Sequence, residues 1–266
     1  MQAVLGLELV IGTGFAILGL IMGSAVTAIA WRVPRKISWA RGRSACPACA
    51  TALGPADLVP LLSFALARGR CRHCGAPISW RYPLTELMCG AWAVLLYARL
   101  GFVWACLPLG LWGFLLVALF WIDLEFRELP DVLTFPGVLL GLAGTWLLLG
   151  FGPGARHALL GLVTGSGMLW LLAWAWILFR KIEGLGGGDI KLAAMFGVVL
   201  GWKLTLLAMF VASLAGSLWG VALMLRGRGG MKSELPFGTL LAPATMIVFL
   251  WGHAWLAAYL RLLGGR

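Results

Sequence analysis

Charge is scarce in this chain. Only 12% of its 266 residues are Asp, Glu, Lys or Arg, and 61% are hydrophobic. An ordinary soluble domain carries about 25% charged residues, so this composition excludes one and points to a bilayer. Acids are scarcest, 10 against 21 basic residues, for a net charge of +11. In a soluble chain that excess would suggest nucleic acid. In a membrane protein it is the charge that cytoplasmic loops collect, so lipid and no nucleic acid is expected. Also lacking is any basic residue ahead of the first apolar run: MQAVLGLELVIGTGF carries only Glu8. It therefore has no secretory n-region and reads as a retained first span. Internal repeats and low-complexity tails are missing too.

What is present is a succession of apolar runs. Crossing about 30 Å of hydrocarbon takes roughly 20 mostly apolar residues. Eight runs qualify, near residues 7–30, 84–100, 102–122, 132–150, 157–179, 189–201, 203–225 and 239–262. The second and sixth are short. The one long polar stretch, 31–83, holds nine basic residues, among them Arg32, Arg35, Arg43, Arg72 and Arg81, against the single acid Asp57. By the positive-inside bias it is cytoplasmic. Eight spans then place the turns near 123–131, 180–191 and 226–236 on that same side, leaving both chain ends outside. Sixteen of the 21 basic residues fall inside on this count. The predicted fold is all-α and polytopic, with a first membrane helix over 1–30, a cysteine-bearing loop domain over 31–83 and a seven-helix membrane domain over 84–266. Glycine, at 37 residues, is expected to serve close helix packing.

Four of the six cysteines form two C-x-x-C pairs, Cys46/Cys49 and Cys71/Cys74, separated by 21 residues. Paired knuckles can present four thiolates to one tetrahedral Zn²⁺, and four soft ligands leave no open coordination position. Such a metal would staple a loop too small to have its own core and would perform no chemistry. The competing reading is four free thiols or two redox pairs. His73 reads as a bystander, and His157 and His253 as packing residues on the outer side.

Acids at the edge of apolar spans need a partner or a task. Asp123 follows the apolar run LLVALFWI, and Asp189 follows three glycines in Glu183-Gly184-Leu185-Gly186-Gly187-Gly188-Asp189. The span count places both on one side of the membrane. Two facing carboxylates can share one proton, the ionised member taking a proton from water and the protonated one polarising a scissile carbonyl. Gly186, Gly187 and Gly188 would clear the approach of an extended substrate and permit a tight bend before the helix. Taken singly, Asp189 reads as a helix cap and Asp123 as a solvated or ion-paired loop residue beside Arg127. Asp131, after Pro130, reads as the cap of the fourth span. Glu125, Glu128 and Glu183, with Asp131, would supply negative potential for a positively charged substrate segment.

Taken together these stretches resemble the bacterial type IV prepilin peptidases, Gly-x-Gly-Asp intramembrane aspartyl proteases. The resemblance is carried by Gly23-Ser24 and Trp31-Arg32-Val33-Pro34, by the cysteine loop with Pro60-Leu61-Leu62-Ser63-Phe64, Ile78-Ser79-Trp80-Arg81-Tyr82-Pro83 and Glu86, by Ile122-Asp123-Leu124-Glu125 with Leu129-Pro130-Asp131, by the segment 183–192, and by Leu235-Pro236-Phe237-Gly238. Two departures stand out: Ala25-Val26-Thr27-Ala28 replaces an Asn-containing segment, and Thr239 stands where proline is common. The resemblance implies catalytic Asp123 and Asp189 at the cytoplasmic face of the bacterial inner membrane. It implies removal of the basic leader of type IV prepilin or pseudopilin precursors after a glycine, in the service of pili or type II secretion. It also implies methylation of the new N-terminus with S-adenosylmethionine, although no fingerprint assigns residues to that donor. The alternatives are an intramembrane aspartyl protease with another substrate, a proton-coupled transporter, and a membrane anchor whose loop docks a partner.

Overall fold

The computed structural model describes residues 2–38, 42, 44–181, 186–226 and 236–264. It divides into two units, Met1–Val103 and Trp104–Arg266.

The first unit is built on α1 (Gln2–Arg32) and α3 (Arg81–Leu100), with a 3-10 turn Pro55–Leu58 and the short α2 (Leu62–Leu66) between them. α1 and α3 approach closely through glycine. A methyl at Gly19 would stand 2.6 Å from the Cys89 carbonyl oxygen, and one at Gly23 would stand 2.5 Å from Glu86 Cα. Where the helices meet, the buried Glu86 carboxylate accepts a hydrogen bond of 2.8 Å from the backbone N–H of Leu61. Leu61 is held at φ +58°, so this acid fixes a strained turn of the intervening loop.

In the second unit α4 (Cys106–Phe126) is apolar around its whole circumference, the pattern of a helix surrounded by others. Leu109, Trp112, Leu116, Val117, Leu119 and Ile122 are fully buried. α4 packs against α5 (Asp131–Leu149) and α9 (Phe237–Leu262), and between those two in the chain come α6 (Phe151–Leu162), a π turn Val163–Gly167, α7 (Met168–Arg180) and α8 (Gly187–Leu225). Close packing of α6 on α8 runs through Gly161 and Gly197, since a methyl on Gly161 would overlap the Gly197 carbonyl oxygen.

Among the described residues six helices are long and apolar enough to cross a membrane. Two further helical segments bring the count to the expected eight. α3, with 20 residues, rises about 30 Å. α8, with 39 residues, is two helices joined at Gly201, whose φ of 64° and ψ of 176° break the helical path. Residues twelve apart in a continuous helix are about 18 Å apart. Yet a methyl on Gly165 would stand 2.8 Å from the Ala193 carbonyl oxygen and 3.2 Å from Thr205 Cγ2, so the chain doubles back at Gly201. The first limb ends with backbone carbonyls that have no partner in their own helix. Side chains from other helices supply the donors: Thr145 Oγ1 bonds the Val198 oxygen at 3.0 Å and His157 Nε2 lies 3.1 Å from the Val199 oxygen, while Trp112 Nε1 ties α4 to the same limb one turn earlier through the Met195 oxygen at 3.1 Å. His157 thus closes a helix end, a more specific task than interfacial packing.

Gly161→Ala should destabilise the fold by about 1–3 kcal/mol, the usual cost of overpacking. The measurement is the unfolding midpoint in mild detergent. An unchanged midpoint would contradict the α6–α8 contact.

Candidate active site and cysteine cluster

α4 ends where its apolar run ends. Arg127 adopts a left-handed conformation, φ 56°, and its N–H closes the last turn on the Asp123 carbonyl at 2.9 Å. Asp123 therefore lies inside the final turn of α4, only 5% exposed, and is no solvated loop residue. Its carboxylate Oδ2 accepts two hydrogen bonds from Thr239 in the first turn of α9, one from the backbone N–H at 2.5 Å and one from the hydroxyl at 2.8 Å.

Asp189 enters from the first turn of α8. Gly186, in extended conformation, is the residue before the helix, and the Asp189 N–H bonds its carbonyl at 3.1 Å. Asp189 is therefore not the cap, and its carboxylate is free for another use. Asp123 and Asp189 line one cavity of ≈ 420 Å³, together with Glu128, Asp131, Lys191, Gly186 and Gly188. The cavity also includes Arg127, so its wall holds four acids and two bases in a chain with only 10 acids in all.

One local expectation is corrected. Asp131 does not cap α5, because Pro130 occupies that position and Asp131 instead receives a 2.6 Å ion pair from Lys191 Nζ. Opposite charge across the cavity outcompetes capping here. None of Gly186, Gly187 and Gly188 has positive φ. They supply room. A methyl on Gly188 would stand 2.9 Å from Leu129 Cβ, and around Gly187 there is open space. Glu183 and Gly184 lie outside the described residues, as do Arg228, Lys232 and Leu235. The contribution that sequence reasoning missed is the Thr239 contact. Its available signal was a hydroxyl residue in the first turn of a helix, where backbone N–H groups need acceptors.

In the first unit the four Sγ atoms of Cys46, Cys49, Cys71 and Cys74 all lie within 4.8 Å of one another. Cys46 and Cys74 are 3.9 Å apart. Tetrahedral thiolates about 2.3 Å from a zinc ion are about 3.8 Å from each other, so a small contraction would seat a metal. The two knuckles repeat one design. Ala50 N–H bonds the Cys46 carbonyl at 2.8 Å as Gly75 N–H bonds that of Cys71 at 2.9 Å, and isolated β-bridges Ala45–Ala52 and Arg70–Pro77 flank them. Donors for thiolates are in place. Hydrogen bonds from the Thr51 hydroxyl and backbone bring Cys49 down to about 6, and the backbone N–H groups of Cys74 and His73 lower Cys71.

Six described helices long and apolar enough to cross a membrane, and a cavity of the second unit lined by Asp123 and Asp189 at the ends of two of them, define a multi-pass membrane protein. Residues 17–100 match the Bacterial Peptidase A24 N-terminal domain and residues 110–221 match the Type IV leader peptidase family. The chain is 40% identical over 216 residues to a "Prepilin leader peptidase/N-methyltransferase" of Aeromonas hydrophila, covering 80% of this chain and 72% of that protein. Proteins of the same name from Burkholderia pseudomallei and Pseudomonas aeruginosa are 37% and 33% identical, the first over 94% of this chain and 87% of its own length and the second over 93% of each. The chain belongs to the type IV leader peptidase family. No solved structure shows a significant match to it.

Ala50 sits at φ 57° in the position where the second knuckle has Gly75 at φ 73°. A left-handed non-glycine residue costs about 1–2 kcal/mol. Ala50→Gly should therefore make the loop more resistant to limited proteolysis in the full-length protein, and Gly75→Ala less resistant. Equal cleavage rates for both variants and the parent would contradict the knuckle geometry.

Proposed function

We propose that this protein is a prepilin leader peptidase that uses Asp123 and Asp189 as its catalytic pair and also methylates the N-terminus it exposes. The observation that carries the reading is the convergence of these two carboxylates on one cavity at the ends of α4 and α8. One carboxylate, ionised, takes a proton from water, and the other, protonated, polarises the scissile carbonyl. Water then adds to the carbonyl carbon, and the carbon–nitrogen bond breaks.

The cavity wall supports the substrate class. In a protein of net charge +11, the four acids Asp123, Glu128, Asp131 and Asp189 outnumber the two bases Arg127 and Lys191 around one opening, which favours a basic peptide segment. The leader of a type IV prepilin or pseudopilin, held beside an apolar helix that stays in the bilayer, has that character. The turns at this end of the second unit carry Arg127, Arg180, Lys181, Lys191 and Arg226, whereas Arg156, Lys203 and Arg261 lie toward the other. The positive-inside bias supports a cavity at the cytoplasmic face of the inner membrane. The N-methyltransferase activity in the names of its relatives supports the second step, with S-adenosylmethionine as the methyl donor on this reading. Zinc is the metal that fits the four thiolates, where it would hold the loop together and take no part in hydrolysis.

The purified protein incubated with a prepilin peptide should yield, by mass spectrometry, leader and mature peptide. In the presence of S-adenosylmethionine the mature product should gain one methyl group. Asp123→Asn and Asp189→Asn should each abolish cleavage while inserting normally, and retained cleavage in either would refute the pair. Metal analysis should find about one zinc per chain, lost in Cys46→Ser with a loop newly open to protease. A metal-free parent with a protease-resistant loop would exclude the staple.

A further inference from the structure

Oδ2 of Asp123 receives both of its hydrogen bonds from a single residue, the Thr239 backbone N–H at 2.5 Å and the Thr239 hydroxyl at 2.8 Å. A carboxylate oxygen has two lone-pair positions in its plane, and two donors fill them. An oxygen so occupied does not carry a proton. The backbone donor belongs to the first turn of α9, where N–H groups lack partners in their own helix and the helix dipole favours negative charge. Thr239 is itself buried, 8% exposed, so water does not compete for either contact. Gly238 permits the approach, since a methyl there would stand 3.0 Å from Oδ2 and 3.1 Å from Cγ of Asp123. Among the described residues the structure gives the Asp189 carboxylate no comparable donor. The other charged groups around the cavity are Arg127 from the end of α4, Glu128 and Asp131 from the turn into α5, and Lys191, paired with Asp131, from α8.

Resting on the reading that these two aspartates perform the hydrolysis, we propose that Thr239 is a positioning residue that holds Asp123 as the ionised member of the pair, leaving the shared proton on Asp189. Asp123 Oδ1 then takes a proton from water as the water oxygen bonds to the scissile carbonyl carbon, and the Asp189 proton passes to the carbonyl oxygen. On collapse the carbon–nitrogen bond breaks, the amine takes the proton from Asp123, and Asp189 recovers its own from the diol. Protons and electrons balance without a further reactant.

The test is the pH profile of kcat/KM for three variants of the full-length protein on a prepilin peptide. Thr239→Ser keeps both donors, Thr239→Val keeps only the N–H, and Thr239→Pro removes both at a position in the first helical turn where proline is tolerated. The Ser profile should overlay the parent. The acid limb should move to higher pH by about one unit in the Val variant, the scale of one lost hydrogen bond to a charged group. It should move at least as far in the Pro variant, with the alkaline limb unmoved. A merely structural role lowers the height of the profile without moving a limb. If the Pro variant does not accumulate in membranes, the Val and Ser comparison decides. Val and Ser profiles that both coincide with the parent, beside an inactive Asp123→Asn, overturn the role of Thr239 alone. An active Asp123→Asn overturns the aspartate reading beneath it.

Discussion

A carboxylate buried at the end of a membrane helix must find donors in the protein, and the arrangement of the second unit follows from how Asp123 Oδ2 finds them. Placing an acid in the last turn of the most buried helix is costly unless donors are brought to it. Here they arrive from another span, as the first turn of α9 turns its N–H and the Thr239 hydroxyl onto one oxygen. That contact requires a glycine at 238, and it sets the register of α9 against α4. The left-handed closure at Arg127 ends α4 immediately beyond the acid and starts the turn that carries Glu128 and Asp131 to the cavity wall. The groups that would do chemistry and the groups that fix the helices are thus the same.

The same constraint acts at the other end of the first limb of α8. A helix that stops at Gly201 leaves carbonyls needing donors in an apolar surrounding, and Thr145 and His157 satisfy those of Val198 and Val199. These donors stand on α5 and α6, so the limb that bears Asp189 is tied at its far end to two neighbours. Gly161 and Gly197 bring α6 and α8 into backbone contact over the intervening stretch. Rigid support of this kind is what a catalytic constellation needs, since small displacements of reacting groups are expensive in rate.

Much of this was legible in the sequence, for particular reasons. Membrane spans announce themselves by length and hydropathy, and even the pair flanking Gly201 reads correctly because the apolar runs pause there. Cys46, Cys49, Cys71 and Cys74 declare their meeting by spacing alone. Asp123 and Asp189 were placed on one side by counting spans and on one site by resemblance. The pairing of Asp131 with Lys191 was not legible, because local pattern favours capping and the competing cation lies 60 residues away. The Asp123–Thr239 contact spans 116 residues and leaves no periodic trace. Glu86 likewise gave no sign that it would anchor the backbone of Leu61.

The hairpin at Gly201 has arms of unequal height. The first runs for about 14 residues and the second for about 24, so they rise roughly 21 Å and 36 Å from the shared bend. The shorter arm carries Asp189 in its first turn and ends about 15 Å short of its neighbour. Asp189 therefore occupies a ledge against a taller wall, and the substrate proposed above, a peptide continuous with an apolar helix, would approach it from the side of the shorter arm.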